Sequence, residues 1–179
     1  MLAQTTVSSK TWQIYPVSRF TPKQVEYYWQ TLYMHDSLKF RICDVVNPTW
    51  ADAKDMIMRM FKTMWCIWDE EKQRITCEFM LESFTGKAAQ IHFSMHPENN
   101  FKYSLQIGQG VTDEILNEWQ YPDLHTLFGL TPETNRAARL FIHRVGFKTV
   151  GRLPAGMYDR GKLVNAVIYH QTEDMNFMT

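Results

Sequence analysis

The chain has 179 residues, and nineteen Lys and Arg balance nineteen Asp and Glu to give a formal net charge of zero at pH 7. A neutral chain exerts no broad electrostatic pull on nucleic acid, no apolar run approaches the roughly 20 residues that cross a bilayer, and the opening Met1 to Lys10 lacks a basic-then-apolar leader pattern. One domain over residues 1–179 with a sizeable core is expected, with the cytosol as its compartment.

In chain order, Thr11–Ser18 alternates as a first strand, with Pro16 placing its end at an edge or bulge. Thr21 and Pro22 then cap and open a helix reaching about Tyr33. A loop over Asp36–Asn47 leads to a second helix from Pro48 to about Phe61, with Trp50, Ala53, Ile57 and Met60 as its core stripe. Three strands follow, Met64–Trp68, Arg74–Glu82 and Ala88–Met95, joined by turns at Asp69–Gln73 and Ser83–Gly86 into an antiparallel meander. His96–Asn100 ends the meander. A helix over Val111–Trp119 and a strand over Leu124–Leu130 come next.

Thr131–Phe147 then reads as a strand end, a helix and a stop. Asn135 or Thr134 can cap the first helical N–H groups. Ala138, Phe141, Ile142 and Val145 form the apolar stripe, and Gly146 supplies the left-handed stop beside the basic last turn. Two strands follow, around Val150–Leu153 and Leu163–Tyr169, with Pro154, Gly156 and Asp159–Gly161 as turn residues. The whole order describes an α/β (α+β) chain, a mixed and largely antiparallel central sheet flanked by helices.

Other residues exclude alternatives. Cys43, Cys66 and Cys77 are odd in number and far apart, so reduced, largely buried thiols are expected rather than disulfides or a zinc motif. His92 and His96 lie about 13 Å apart along a strand, so no metal site is expected. The many Met and aromatic residues read as core, with an adaptable surface compatible with a protein partner or a homodimer.

The spacing of Asn135, Ala138, Gly146-Phe147 and the Gly151 of the following strand resembles the C-terminal signature of the GNAT acyltransferase superfamily. Branches that acetylate ribosomal-protein N-termini, and small GNAT-like proteins of tailed bacteriophages, are similar in this region. The resemblance implies a GNAT-like sheet and acetyl-CoA as cofactor, held against a bulged strand at Phe93, Ser94 and Met95. It also implies a diphosphate-binding loop before a helix, expected at Gly108, Gln109, Gly110, Val111 and Thr112, and a cofactor contact from Asn135. That loop matches the family pattern in part, with Ile107 where Arg or Gln is usual and Thr112 where a small residue is usual.

Acyl transfer to an amine needs a base for the attacking nitrogen and an acid for the departing thiolate. The Tyr that many members place four residues before the closing glycine is Ile142 here. Glu78 and Glu82, on one face of a strand, are the candidate bases, with Tyr158 and His92 as further candidates. Two functions stand side by side: an acetyl-CoA-dependent N-acyltransferase acting on a protein N-terminus, a side-chain amine or a small amine, and a non-catalytic GNAT-fold binding or assembly protein of phage type.

Overall fold

A computed structural model describes residues 5–7, 10–35, 49–52, 55, 63–119 and 123–172. Their strands form one eight-stranded sheet in the order β1-β2-β3-β4-β5-β6-β8-β7. The strands are β1 (Thr5–Val7), β2 (Lys10–Pro16), β3 (Met64–Asp69), β4 (Arg74–Thr85), β5 (Ala88–Met95), β6 (Thr126–Pro132), β7 (Lys148–Asp159) and β8 (Lys162–Thr172). Every neighbouring pair is antiparallel except β5 with β6. The expected meander is β3-β4-β5. β1 was not anticipated, because three residues are too short for alternation to register.

Helix α1 (Pro22–Met34) opens as the sequence implies: the Thr21 side chain accepts from the Gln24 N–H, and the Gln24 side chain returns a bond to the Thr21 N–H. This reciprocal cap satisfies two helix-end donors that otherwise lack partners. Val25, Tyr28, Trp29 and Leu32 are buried against Met64, Cys66 and Ile75 on one side of the sheet. The helix expected over 48–61 lies mostly outside the described residues. Within it, Trp50–Asp52 and Asp55 are helical, and Thr49 and Asp52 make the same kind of cap.

Helices α2 (Phe101–Asn117) and α3 (Arg136–Val145) cover the opposite side. Here Phe79, Leu81, Ile91, Tyr103, Ile107, Val111, Ile115 and Tyr169 build the larger core. α2 begins ten residues earlier than expected. Asn100 caps it by accepting from the Tyr103 N–H at 2.9 Å, and Tyr103, Ile107, Val111 and Ile115, four apart, are all buried. The two glycines that suggested a loop lie inside this helix. Gly108 serves packing, since a Cβ there would sit 2.7 Å from Phe141 Cζ and from Val145 Cγ2. The helix-propensity cost of about 1 kcal/mol for glycine is offset by the close approach of α3 that it permits.

The last hairpin also departs from expectation. Its turn is Arg160-Gly161 alone, both at positive φ (51° and 74°). Pro154, Ala155 and Gly156 interrupt β7 without ending it: the pairing with β8 shifts register between Leu153 and Met157. A bulge of this kind re-aims the side chains that follow it. Ser83 and Phe84 likewise belong to β4, at a second register shift, so the preceding turn tightens to Gly86 and Lys87. β6 runs two residues later than expected, to Pro132. Cys66 and Cys77 are buried and not in a disulfide, whereas Cys43 lies outside the described residues.

Candidate functional site

The parallel pair β5 and β6 is joined only at Ala88–Gln90 with Thr126–Phe128. β6 then follows β8 through Pro132, while β5 stays with β4 through Met95. The two strands therefore part beyond Gln90, and among the described residues no strand lies beside the β6-facing edge of Ile91–Met95. Gly129 stands at the fork, where a Cβ would come 3.7 Å from the Ile91 carbonyl oxygen. No bulge produces the parting, because the β4–β5 register is regular from Cys77↔Met95 to Glu82↔Gln90. The bulge expected in β5 is absent, and the divergence comes from β6 being held by β8.

A cavity of about 360 Å³ occupies the fork, lined by β5 (Ile91, His92, Phe93), β6 (Gly129 to Pro132), α3 (Asn135, Ala138, Phe141, Ile142, Val145) and the β7 residues Met157 and Tyr158. Its walls are largely apolar. Phe93 and Phe141 meet edge to face with centroids 5.8 Å apart. Asn135 caps α3, its side-chain oxygen accepting from the Ala138 N–H at 3.1 Å. Gly146 closes that helix at φ 128°, so both ends of the signature helix follow the sequence reading.

The expected site residues separate into those at the fork and those elsewhere. Phe93 and Asn135 line it. Ser94 and Met95 continue the parted strand, and the Ser94 carbonyl accepts from the Tyr28 hydroxyl at 2.6 Å. Gly108, Gln109, Gly110, Val111 and Thr112 do not form a loop. They lie in the middle of α2, with the Thr112 hydroxyl donating to the Gly108 and Gln109 carbonyls, and none of them lines the fork.

The two carboxylates differ as well. Glu78 is fully buried, opposite Cys66 on β3 and Ser94 on β5, and does not line the fork. The Tyr28 phenol beside it is pushed well up by burial and then by the Glu78 charge. Alternation assigned Glu78 its face but could not show how deeply that face is covered. Glu82 is at the rim, 2.7 Å from Nε2 of His92, and His92 lines the fork.

Tyr158 reaches the fork because of the β7 bulge. Asn165 accepts from the Ala155 N–H at 3.1 Å and donates to Glu133 at 2.9 Å, while Arg152 donates to the same Glu133 oxygen at 2.5 Å. This network ties the bulge to the segment between β6 and α3. Sequence reading missed Met157, Thr131 and Phe147 as lining residues. The only signal was the Pro154 to Gly156 interruption inside a strand, which marks a bulge as readily as a turn.

The segment between β5 and α2 is fastened on the far side of β5 from the fork. The His96 N–H and Asn99 Nδ2 both donate to the Thr76 carbonyl on β4, at 2.9 and 2.8 Å. Arg74, at the start of β4, pairs with Glu98. Tyr103, in the first turn of α2, donates its hydroxyl to Asp69 on β3 at 2.6 Å. Hydrogen bonding from Arg74 holds the Glu98 carboxyl below its usual range, so it remains an anion. The parted strands and apolar walls thus form an open-edged cleft, and the segment between β5 and α2 is held away from it.

His96 gives this segment a pH dependence. It is 3% exposed, and burial, followed by the Arg74 charge, lowers its pKa to about 4. Its Nδ1 accepts from the Glu98 N–H at 3.3 Å and must be unprotonated to do so. An unfolded His titrates near 6.5, so its contribution is fully present above that pH and is lost as pH falls toward 4. A shift of this size corresponds to about 3 kcal/mol or slightly more at roughly 1.4 kcal/mol per pH unit. Denaturation of the parent protein between pH 7 and pH 4.5 should follow that loss, and His96→Gln should flatten it. Equal slopes in the two proteins would refute the assignment.

No protein-family model and no curated protein sequence matches the chain. Solved structures do. A GNAT-family acetyltransferase from Bacillus anthracis superposes with a TM-score of 0.72 at 12% identity, covering 96% of each chain. The ribosomal-protein-S5-alanine acetyltransferase from Vibrio fischeri gives 0.67 at 9% identity, covering 97% of this chain and 98% of its own. Spermidine N-acetyltransferase from Vibrio cholerae, in complex with CoA and spermine, gives 0.70 at 10% identity over 90% and 95%. At such identities the likeness carries architecture: the chain has the GNAT fold, on a mixed and mostly antiparallel sheet.

Proposed function

We propose that the protein transfers an acyl group from a pantetheine thioester, the chemistry of acetyl-CoA, to an amine. The observation that carries this reading is the fork itself. An extended arm laid between β5 and β6 can pair with the open edge of Ile91–Met95 while Phe93, Phe141 and Ile142 cover its apolar parts, and the thioester is directed toward His92 and Tyr158.

In the proposed reaction, an ammonium acceptor first gives one proton to Nδ1 of His92. That nitrogen has a lone pair when Nε2–H donates to Glu82, the tautomer consistent with their 2.7 Å separation. The neutral amine attacks the thioester carbonyl carbon. As the new C–N bond forms and the C–S bond breaks, Tyr158 gives a proton to the departing sulfur. The proton lost from the nitrogen restores the phenol, and His92 releases the first proton to water. Amide and thiol are the products, and no covalent enzyme intermediate is needed. Glu82 serves here by holding His92, a role that Glu78 is too deeply buried to share.

The opposing reading, a GNAT-fold binding or assembly component without catalysis, draws its support from the segment over 96–112, which lacks a glycine cradle. Incubation with acetyl-CoA or acetyl-pantetheine and a panel of amines, including peptide N-termini and polyamines, separates the two. The proposal requires amine-dependent release of thiol together with an acylated product detected by mass spectrometry. Thiol release no faster with amine than without it, across the panel, would favour the binding reading.

A further inference from the structure

Resting on that reading, we infer that the protein grips its acyl donor by the pantetheine arm alone, the described residues offering the diphosphate and nucleotide no binding site. Acyl-pantetheine thioesters are therefore its substrate class irrespective of what the arm is attached to.

Three observations converge. First, the segment that could present backbone N–H groups to a diphosphate is fastened to β4 and β3, on the side of β5 away from the fork, through Thr76, Arg74 and Asp69. Strands in a sheet are about 4.8 Å apart, so an anchor on β3 is roughly two such spacings beyond β5. Second, the donors and charge that remain there are unsuited to the task. Pro97 has no N–H, Asn100 takes the Tyr103 and Ser104 N–H groups, and Arg74 is already paired with Glu98, so the Phe101 and Lys102 N–H groups remain, in the turn that Tyr103 ties to β3. The glycines that might have formed a cradle are inside α2, and Gly108 is closed over by Phe141 and Val145. Third, a cavity of about 360 Å³ is at the small end of the roughly 300–1,000 Å³ found for small-molecule sites. That volume suits an extended arm and its acyl group.

This arrangement has an energetic signature. Charge-assisted bonds to phosphate are among the strongest and most salt-sensitive a protein makes. A site without them should bind the arm equally well with or without the nucleotide.

The test is calorimetric titration of the unaltered protein with acetyl-CoA, acetyl-phosphopantetheine, acetyl-pantetheine and adenosine 3′,5′-bisphosphate, each at low and high salt. The three thioesters should bind within about threefold of one another. The adenosine bisphosphate should neither bind nor compete, and salt should change the affinities by less than about twofold. Acetyl-CoA binding about thirtyfold or more tighter than acetyl-pantetheine, with competition from the bisphosphate, would overturn the inference while leaving acyl transfer intact. Binding of none of the thioesters would instead overturn the acyl-transfer reading, and this inference with it.

Discussion

Replacing His92 with Gln is expected to lower the rate of acyl transfer by about 10²- to 10⁴-fold, the usual contribution of a positioned general base. At physiological pH most aliphatic amines are protonated, and an ammonium has no lone pair with which to attack. His92 is at the wall of the fork, with Glu82 2.7 Å from its Nε2, so the opposite ring nitrogen is the proton acceptor that remains. Gln keeps a polar side chain of similar reach and can still bond Glu82, but it cannot take up a proton. The loss should therefore appear in kcat at saturating donor, with the donor Kd held within about twofold. Glu82→Gln should give a smaller loss of the same kind, because a carboxamide still orients the ring. Retention of the parent rate by His92→Gln would remove this residue from the chemistry.

Phe79→Ala is expected to cost about 3–5 kcal/mol of folding stability, the range for deleting a large aromatic side chain from a closed core. Phe79 is fully buried. Its ring lies parallel to Trp65 with centroids 5.5 Å apart, and it also meets Trp119 at 6.2 Å and Phe93 at 6.4 Å. Three rigid rings cannot collapse fully into the space left behind, which places the cost toward the upper part of the range. Phe93 in turn packs on Phe141 across the fork, so the same deletion should loosen one wall of the cavity. Chemical denaturation checks the first effect. A loss below about 1.5 kcal/mol would mean that the aromatic cluster repacks around the deletion.

The ends of α1 and α3 were legible because their signals are local. Thr21-Pro22 and Asn135 are caps whose bonds close within three residues, and Gly146 is a stop that needs no distant partner. The start of α2 is not legible because glycine reads locally as punctuation, whereas Gly108 is required by Phe141 and Val145, more than thirty positions away in sequence. The stripe of Tyr103, Ile107, Val111 and Ile115 following Asn100 carried the right answer. The interruption at Pro154 to Gly156 likewise reads locally as a turn, and only the pairing with β8 shows it to be a bulge.

At the site, alternation along β4 put Glu78 and Glu82 on one face but could not tell the interior of the sheet from its rim. The fork is less legible still. It arises because β6 is held by β8 while β5 is held by β4, a contest among four strands that no single segment records. Tyr158 depends on the same nonlocal arrangement, reaching the cavity through a bulge pinned by Asn165 and Glu133. The cap that Asn135 makes is legible because its bond closes within three residues, and the same side chain lines the fork.

The central claim is that the parted strands receive the pantetheine arm. Backbone amide NMR of the unaltered protein titrated with acetyl-pantetheine tests it most directly. The account predicts saturable shifts concentrated in Ile91–Met95, Gly129–Pro132 and the start of α3, with residues 96–112 little changed. Saturable shifts confined to other surfaces, or no shifts at any concentration, would contradict it.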